Sequence, residues 1–334
     1  NPLWLEAGEV QIELFGGPII QEGSTAMAMY ENNDIDMMGV PGWSPPSPDL
    51  DRIKADARLS EELLIAPATC TYFYGIMNTK PQYDDPLVRK AFSAAIDRQS
   101  LVDNVTKGQE LPAHSLVPPG VFGNVAADLS IGAFLIESNY ADQLAQGQKW
   151  LAEAGYPEGE GIDILLMHNT SEAQALIAQA IQAMWQEAFP RAQITIENQE
   201  FGVYLTTLLP DSPVEEKPNV YRTGWCADYP DSNNWLNEIY HSQSGQNFAR
   251  YNNPDFDALV EEAAFEPDPA RREVLYREAE RIFVDQDMPI APIYHYTYVR
   301  LYKPWVEPVV NPLGGDPLAE WQLDWEAKQA ARGE

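Results

Sequence analysis

Residues 222–231 read RTGWCADYPD, which puts an arginine, a tryptophan, a cysteine and two aspartates into one short run. Such a set serves a catalytic centre, one half of a disulfide or a binding pocket. Among the catalytic readings, the sharpest is a Cys226 thiolate nucleophile with a histidine supplied from elsewhere in the chain. Carboxylate pairs such as Asp228 with Asp231, or Asp84 with Asp85, could do acid–base chemistry. Acidic residues are so frequent here, however, that such pairs are expected by chance.

Cofactor chemistry finds little support. The sequence holds no G-x-S-x-G elbow, Walker loop or G-x-G-x-x-G fingerprint. His114, His168, His241 and His295 lie in separate segments, without the spacing that sets two imidazoles on one helix face, which argues against zinc. Asn33, Asp34 and Asp36 faintly suggest a calcium loop, but the required glycine and final glutamate do not fall into place, so they read as a turn. No cofactor or metal is expected.

The 334 residues carry 51 Asp plus Glu against 21 Lys plus Arg, a net charge of −30 that repels phosphate backbones and makes nucleic acid a poor partner. The acids are spread along the chain, as on a solvated acidic surface, and their excess hints at a salty habitat. No stretch approaches the roughly 18 apolar residues of a membrane-spanning helix. The opening NPLWLEAGEV has neither a basic start nor an apolar signal core, and reads as a chain already under way. The cysteines Cys70 and Cys226 are too far apart in sequence for a CxxC metal site. They could form a disulfide, which implies export, or remain two buried thiols.

The elements that must position these groups follow an α/β pattern. VQIELFG (10–16) alternates like a strand, GVPGWSPPSPDL (39–50) reads as a connection, and 46–59 reads as a helix capped by Ser47 or Asp49. TYFYGIMN (71–78) predicts a buried aromatic strand. From Asp85, apolar residues at helical spacing from Val88 to Val105 predict one amphipathic helix. QKWLAEAGYPEG predicts a short helix ending at Gly155. IDILLMHN, SEAQALIAQAIQAMWQEAF and QITIENQEF predict a βαβ-like unit, its helix capped by Thr170 or Ser171 and striped by Leu176, Ile177, Ala180, Ile181, Met184 and Trp185. NVYRTGWC predicts a further strand, 255–265 and 269–286 further helices, and PIAPIYHYTYVRLYK an aromatic strand.

Five phrases together carry a family resemblance: YDDPLVRKAFSAAIDRQSLV (83–102), WLAEAGYP (150–157), RTGWCADYPD (222–231), YNNPDFDALV (251–260) and VRLYKPWV (299–306). They resemble the extracytoplasmic solute-binding proteins of the peptide/oligopeptide/nickel type, which feed ABC importers. The resemblance keeps its order over essentially the whole chain, whereas family members carry a further upstream portion. A fragment of a longer chain is therefore expected. The resemblance implies an α/β, periplasmic-binding-protein type II-like two-lobe fold, with residues 1–70 forming part of lobe I, 71–297 a complete lobe II and 298–334 the return to lobe I. It also implies an extracytoplasmic monomer that binds a peptide or related small solute between the lobes and delivers it to a permease. Membrane attachment would come only through a lipid anchor on the upstream portion, and no enzyme activity is implied.

By the same resemblance, Asp228 grips a peptide's α-ammonium, Trp225 walls the ligand and Arg222 meets a carboxylate. Cys70 and Cys226 form a disulfide. Tyr72, Phe73 and Tyr74 stand as cleft, hinge or core residues. Gln174 and Leu208 fall where tripeptide-type binders carry basic side chains, a departure that points to a longer, shorter or non-peptide ligand. Two alternatives stay open: a thiol hydrolase using Cys226, and a non-transport surface receptor or chaperone-like peptide binder.

Overall fold

The computed structural model describes residues 10, 12–20, 22–39, 44–135, 139–311 and 316–333. The chain folds as two units. One comprises 1–68, 107–109 and 297–334; the other comprises 69–106 and 110–296. The chain passes between them within two long strands, Leu63–Ile76 (β2) and Ile290–Tyr302 (β7), and at the brief excursion 107–109.

The larger unit is built on a mixed sheet. Its strands run in the order β7–β2–β6–β4–β5, where Asp163–Asn169 is β4, Gln193–Gln199 is β5 and Val220–Cys226 is β6; Leu111–Pro112 (β3) pairs with β7. β4 lies parallel to β5 and β6, and β2 runs antiparallel to β6. The β4–helix–β5 crossover predicted from periodicity is present, its helix spanning Glu172–Ala188 (α7). The buried face of α7 is Ile177, Ala178, Ile181, Trp185 and Ala188, while Leu176 is 42% exposed, so the apolar stripe lies slightly off the predicted one. Ser171 occupies the N-cap but its side chain makes no cap bond, and the Thr170 hydroxyl donates to Asn198 instead.

The single helix expected from Asp85 is broken. Pro86–Ala94 (α4) is capped by Asp85, which accepts from Leu87 N–H; Asp97 then caps a new turn, Arg98–Leu101 (α5), which passes into a π-helical turn at Val102–Thr106. Two buried arginines brace this segment. Arg98 donates to the carbonyls of Ser93, Ile96 and Pro292 and to the Ser93 hydroxyl, while Arg89 donates to the carbonyls of Tyr83, Asp84, Asp287 and Met288. Arg98 thus ties the Ser93 and Ile96 carbonyls at the break to Pro292 of β7, whereas Arg89 ties the residues before α4 to Asp287 and Met288. Burial pulls Arg89 down to about 10 and Arg98 to about 9. Tyr140–Glu153 (α6) begins earlier than its sequence signal. Phe201–Leu208 (α8), Asn233–Tyr240 (α9), Pro254–Phe265 (α10) and Pro269–Arg281 (α11) complete the unit's longer helices among the described residues. One core joins Tyr72, Tyr74, Phe92, Ile164, Leu166, Ile181, Trp185, Val220 and Ile293.

In the smaller unit, Met37–Met38 (β1) pairs antiparallel with the end of β7, Met37 facing Tyr302. A core forms from Ala26, Met27 and Tyr30 of one helix (Gly23–Glu31), with Leu50, Ile53, Leu59 and Leu301. The helix expected over 46–59 is instead a 3₁₀ turn at Ser47–Asp49 and two short helices, Leu50–Ala55 and Leu59–Glu62, and neither Ser47 nor Asp49 makes a side-chain cap bond. The strand expected at 10–16 is not formed among its described residues, and Gln11 lies outside them. Alternation alone gives a strand no partner for its ladder.

Candidate functional site

The register of β2 against β6 sorts the opening motif. Cys70 stands opposite Cys226, Thr71 opposite Trp225, Tyr72 opposite Gly224 and Tyr74 opposite Arg222. Residues directly opposite one another share a face of the sheet, and successive residues alternate between faces. Arg222, Gly224 and Cys226 therefore share one face with Tyr72 and Tyr74, and Trp225 lies on the other. The expected set of ligand residues is split into two clusters rather than gathered in one.

The first cluster surrounds a cation. The Arg222 guanidinium lies 5.0 Å from the Tyr72 ring centroid; it donates to the Tyr296 hydroxyl at 3.0 Å and to Asn169 Oδ1 at 3.4 Å. Tyr72 stacks on Tyr294 with centroids 4.8 Å apart and meets Tyr74 and Tyr296 edge-on. The Tyr72 hydroxyl donates to Gln174 Oε1 at 2.6 Å, tying the first turn of α7 to the platform. Gly224 makes room for this packing, since a Cβ there would lie 3.4 Å from the Tyr296 hydroxyl and 3.1 Å from the Thr71 carbonyl. The Tyr204 hydroxyl donates to the Arg222 carbonyl and fixes the strand from the α8 side. Tyr72 is fully buried, so it acts as a platform beneath the guanidinium rather than as a surface of its own. Leu208 is also fully buried, and the Lys217 ammonium beside it donates to its carbonyl at 2.8 Å.

Among the described residues no carboxylate comes within salt-bridge distance of Arg222, and its Nε is buried without a hydrogen-bond partner. A guanidinium is costly to remove from water unless its charge is met. Tyrosine hydroxyls, an amide oxygen and a ring face supply partial charge only. What remains is a planar, forked donor suited to a carboxylate.

The second cluster centres on Asn234 of α9, whose side chain has no exposed surface. Its Oδ1 accepts from Trp225 Nε1 at 3.1 Å and from the Asp228 backbone N–H at 2.9 Å, and its Nδ2 donates to Asp228 Oδ2 at 3.1 Å and Glu238 Oε2 at 2.8 Å. Asp228 is exposed and its Oδ1 takes no hydrogen bond from the described residues. The turn that carries these groups is braced beneath. Arg272 donates to both oxygens of Asp231 at 2.6 and 2.8 Å, and the Tyr276 hydroxyl to Asp231 Oδ1. Asp231, paired with Asp228 as a potential acid–base couple from sequence, is thereby a structural counter-ion.

Sequence reasoning missed Asn169, Tyr294, Tyr296 and Asn234. A usable signal existed for part of this arrangement: Arg222 and Trp225 are an odd number of positions apart in a strand, which by itself puts them on opposite faces.

Cys70 and Cys226 are joined, with an S–S distance of 2.03 Å, and no free cysteine remains. A Cys226 nucleophile is excluded by that bond. Residues 1–247 match the model for bacterial extracellular solute-binding proteins, family 5 (middle). The chain belongs to this family. It is 33% identical over 270 residues to the periplasmic oligopeptide-binding protein OppA of Salmonella typhimurium, covering 79% of this chain and 46% of OppA. It is 32% identical over 298 residues to the periplasmic murein peptide-binding protein MppA of Escherichia coli, covering 88% of this chain and 52% of MppA. Two solved structures superpose closely. The murein tripeptide-binding protein MppA of Escherichia coli gives a TM-score of 0.79 at 27% identity, over 91% of this chain and 57% of that one. Haemophilus influenzae OppA in complex with RPPGFSPFR gives 0.81 at 26% identity, over 96% and 60%. The fold is thus periplasmic-binding-protein type II-like, and the chain spans about half the length of the relatives it matches.

Proposed function

We propose that the chain is part of a peptide-binding component of an ABC importer, working outside the cytoplasm, and that the unit 69–106 with 110–296 is its complete lobe II. The observation that carries the reading is Arg222. In a chain with 51 acids to 21 bases, this guanidinium pairs with none of the acids among the described residues and sits on a tyrosine platform with a fork of donors unspent. Asp228, whose Oδ1 takes no hydrogen bond from the described residues, supplies the opposite charge. A zwitterionic peptide presents the two complementary groups: a carboxylate for Arg222 and an α-ammonium for Asp228. Trp225, held by its indole N–H, contributes apolar surface beside Asp228. Matched charges of this kind favour micromolar capture, on the order of 8 kcal/mol.

The relatives' names support this reading, since both OppA and MppA are peptide-binding proteins of the periplasm. Gln174 adds an uncharged amide where a second cation would otherwise stand, so the carboxylate would be met by Arg222 alone. The test is native mass spectrometry of the full-length protein with a mixture of unmodified di- to pentapeptides and the same mixture N-acetylated and C-amidated. Retention of the unmodified peptides, and their loss in Asp228→Ala and Arg222→Gln, is the expected outcome. Equal retention of both mixtures would sink the assignment of both residues.

A further inference from the structure

We infer that Asn234 is the positioning residue that makes Trp225 and Asp228 one rigid recognition unit. The inference rests on the peptide-binding reading of those two side chains and adds a residue that touches no ligand itself.

The two residues reach the same place by different routes. Trp225 is the penultimate residue of β6, while Asp228 follows the strand in the turn that leads to α9. Neither is fixed by packing alone, for Trp225 is only partly buried and Asp228 is exposed. An exposed aspartate ordinarily samples several rotamers, and a partly buried indole can tilt. Asn234 removes both freedoms. A side-chain amide has two donor hydrogens and an oxygen able to accept twice. Here Oδ1 accepts from the indole N–H and the Asp228 backbone N–H, and Nδ2 donates to Asp228 Oδ2 and Glu238 Oε2. Three of these four bonds go to the two proposed recognition residues.

The fourth bond anchors the amide's orientation. Glu238 Oε1 accepts from the Tyr229 hydroxyl at 2.6 Å, and that hydroxyl accepts from Asn233 Nδ2 at 2.8 Å. Rotation of the Asn234 amide by half a turn would place its NH₂ against the indole and backbone donors and its oxygen against two carboxylates. The network therefore permits one orientation only. That orientation occupies Asp228 Oδ2 and leaves Oδ1 without a hydrogen bond from the described residues. Because Asn234 is fully buried, the geometry is set from within the fold before any ligand arrives, which lowers the ordering cost of binding.

The experiment uses the full-length protein without ligand, read by NMR of the Trp225 indole N–H and of the Asp228 α–β side-chain couplings. The wild-type chain should show a protected indole and a single Asp228 rotamer. Asn234→Asp, read at a pH high enough to ionise its carboxyl against the neighbouring Asp228 and Glu238 carboxylates, keeps the acceptor but loses the donor, so the indole stays protected while the Asp228 couplings average. Asn234→Leu, of similar volume, should speed indole hydrogen exchange by about tenfold and average the couplings as well. If Asn234→Leu fails to fold, Asn234→Asp alone decides the matter. Unchanged Asp228 couplings in folded Asn234→Asp would overturn the inference, since loss of a merely structural residue would lower stability without releasing that one rotamer. Should the couplings average while the full-length Asp228→Ala protein still retains unmodified peptides, the positioning role stands and the ligand role of Asp228 fails.

Discussion

Arg222 lies over the ring of Tyr72, 5.0 Å from its centroid, without a carboxylate in reach among the described residues. Its hydrogen-bond partners, the Tyr296 hydroxyl and Asn169 Oδ1, are only partly buried and can turn to water if the guanidinium is removed. An apolar side chain of similar length escapes the desolvation cost of the cation. Arg222→Met is accordingly expected to leave the urea midpoint unchanged or to raise it, while abolishing retention of carboxylate-bearing peptides by the full-length protein. A loss of several kcal/mol would instead make Arg222 a structural residue.

Arg98 should behave in the opposite way, although it is the same residue type and also lacks a carboxylate partner among the described residues. Its four acceptors are the carbonyls of Ser93, Ile96 and Pro292 and the Ser93 hydroxyl, all on buried residues and out of water's reach. Removing the donor leaves each acceptor desolvated, and that sum outweighs relief of the buried charge. Arg98→Met is expected to lose about 3 kcal/mol or more, measured by urea unfolding of the chain. A loss below about 1 kcal/mol, the size of one ordinary hydrogen bond, would show that the acceptors find other partners.

The disulfide joins residues 156 apart in sequence, one strand to its antiparallel neighbour. The loop-closure model gives at most about 5 kcal/mol for a loop of this length. Cys226 is exposed while Cys70 is buried, so a small reductant reaches the bond through the Cys226 side. Reduction with a phosphine should lower the thermal midpoint and leave the far-UV spectrum at room temperature intact, because the ladder from Thr71–Trp225 to Ile76–Val220 persists without it. Collapse of the spectrum on reduction would mean that the bond, and not the sheet, holds this pair.

These contrasts mark what was legible in the sequence. The β4–α7–β5 crossover could be read because its periodicity switches cleanly, and the buried face of α7 keeps Ile177, Ile181 and Trp185 of the predicted stripe while taking in Ala178 and Ala188 and leaving Leu176 exposed. The phrase 83–102 could be recognised but not explained: the structure shows Arg89 and Arg98 as buried ties between this segment and residues 287–292, a use that local sequence does not reveal. The clustering of Tyr72 with Tyr294 and Tyr296, and of Trp225 with Asn234, depends on strand register and on a turn. Neither is encoded in residue spacing alone. In the 10–16 stretch the local alternation is present without the pairing that a strand requires.

Two buried titratable groups give stability an unusual pH course. Glu280 accepts from the N–H groups of Leu116 and Val117 at 2.6 and 3.1 Å, but its other oxygen is buried without a partner among the described residues. Burial pushes its carboxyl up to about 7, against the pull of those two N–H groups. His295 shows the reverse. The Thr71 hydroxyl donates to the Leu116 carbonyl, so His295 Nδ1 must carry the proton shared with Thr71, and Nε2 is left as a buried acceptor with no partner among the described residues. Burial, reinforced by His114, pulls this imidazole down to about 3.

The signs follow from which form each state prefers. Glu280 has a folded value above its unfolded 4.5, so its contribution is complete below pH 4.5 and is lost as pH rises through about 7, by about 3 kcal/mol. His295 has a folded value below its unfolded 6.5, so its contribution is complete above pH 6.5 and is lost as pH falls toward 3. Between pH 4.5 and 6.5 the two slopes oppose, and a stability plateau is expected there. Glu280→Gln should remove only the decline between pH 4.5 and 7, making the variant more stable than the parent at about pH 8 while matching it near about pH 4. Urea midpoints of the two chains across that range provide the check, and parallel curves would show that the Glu280 carboxyl is not the group that titrates.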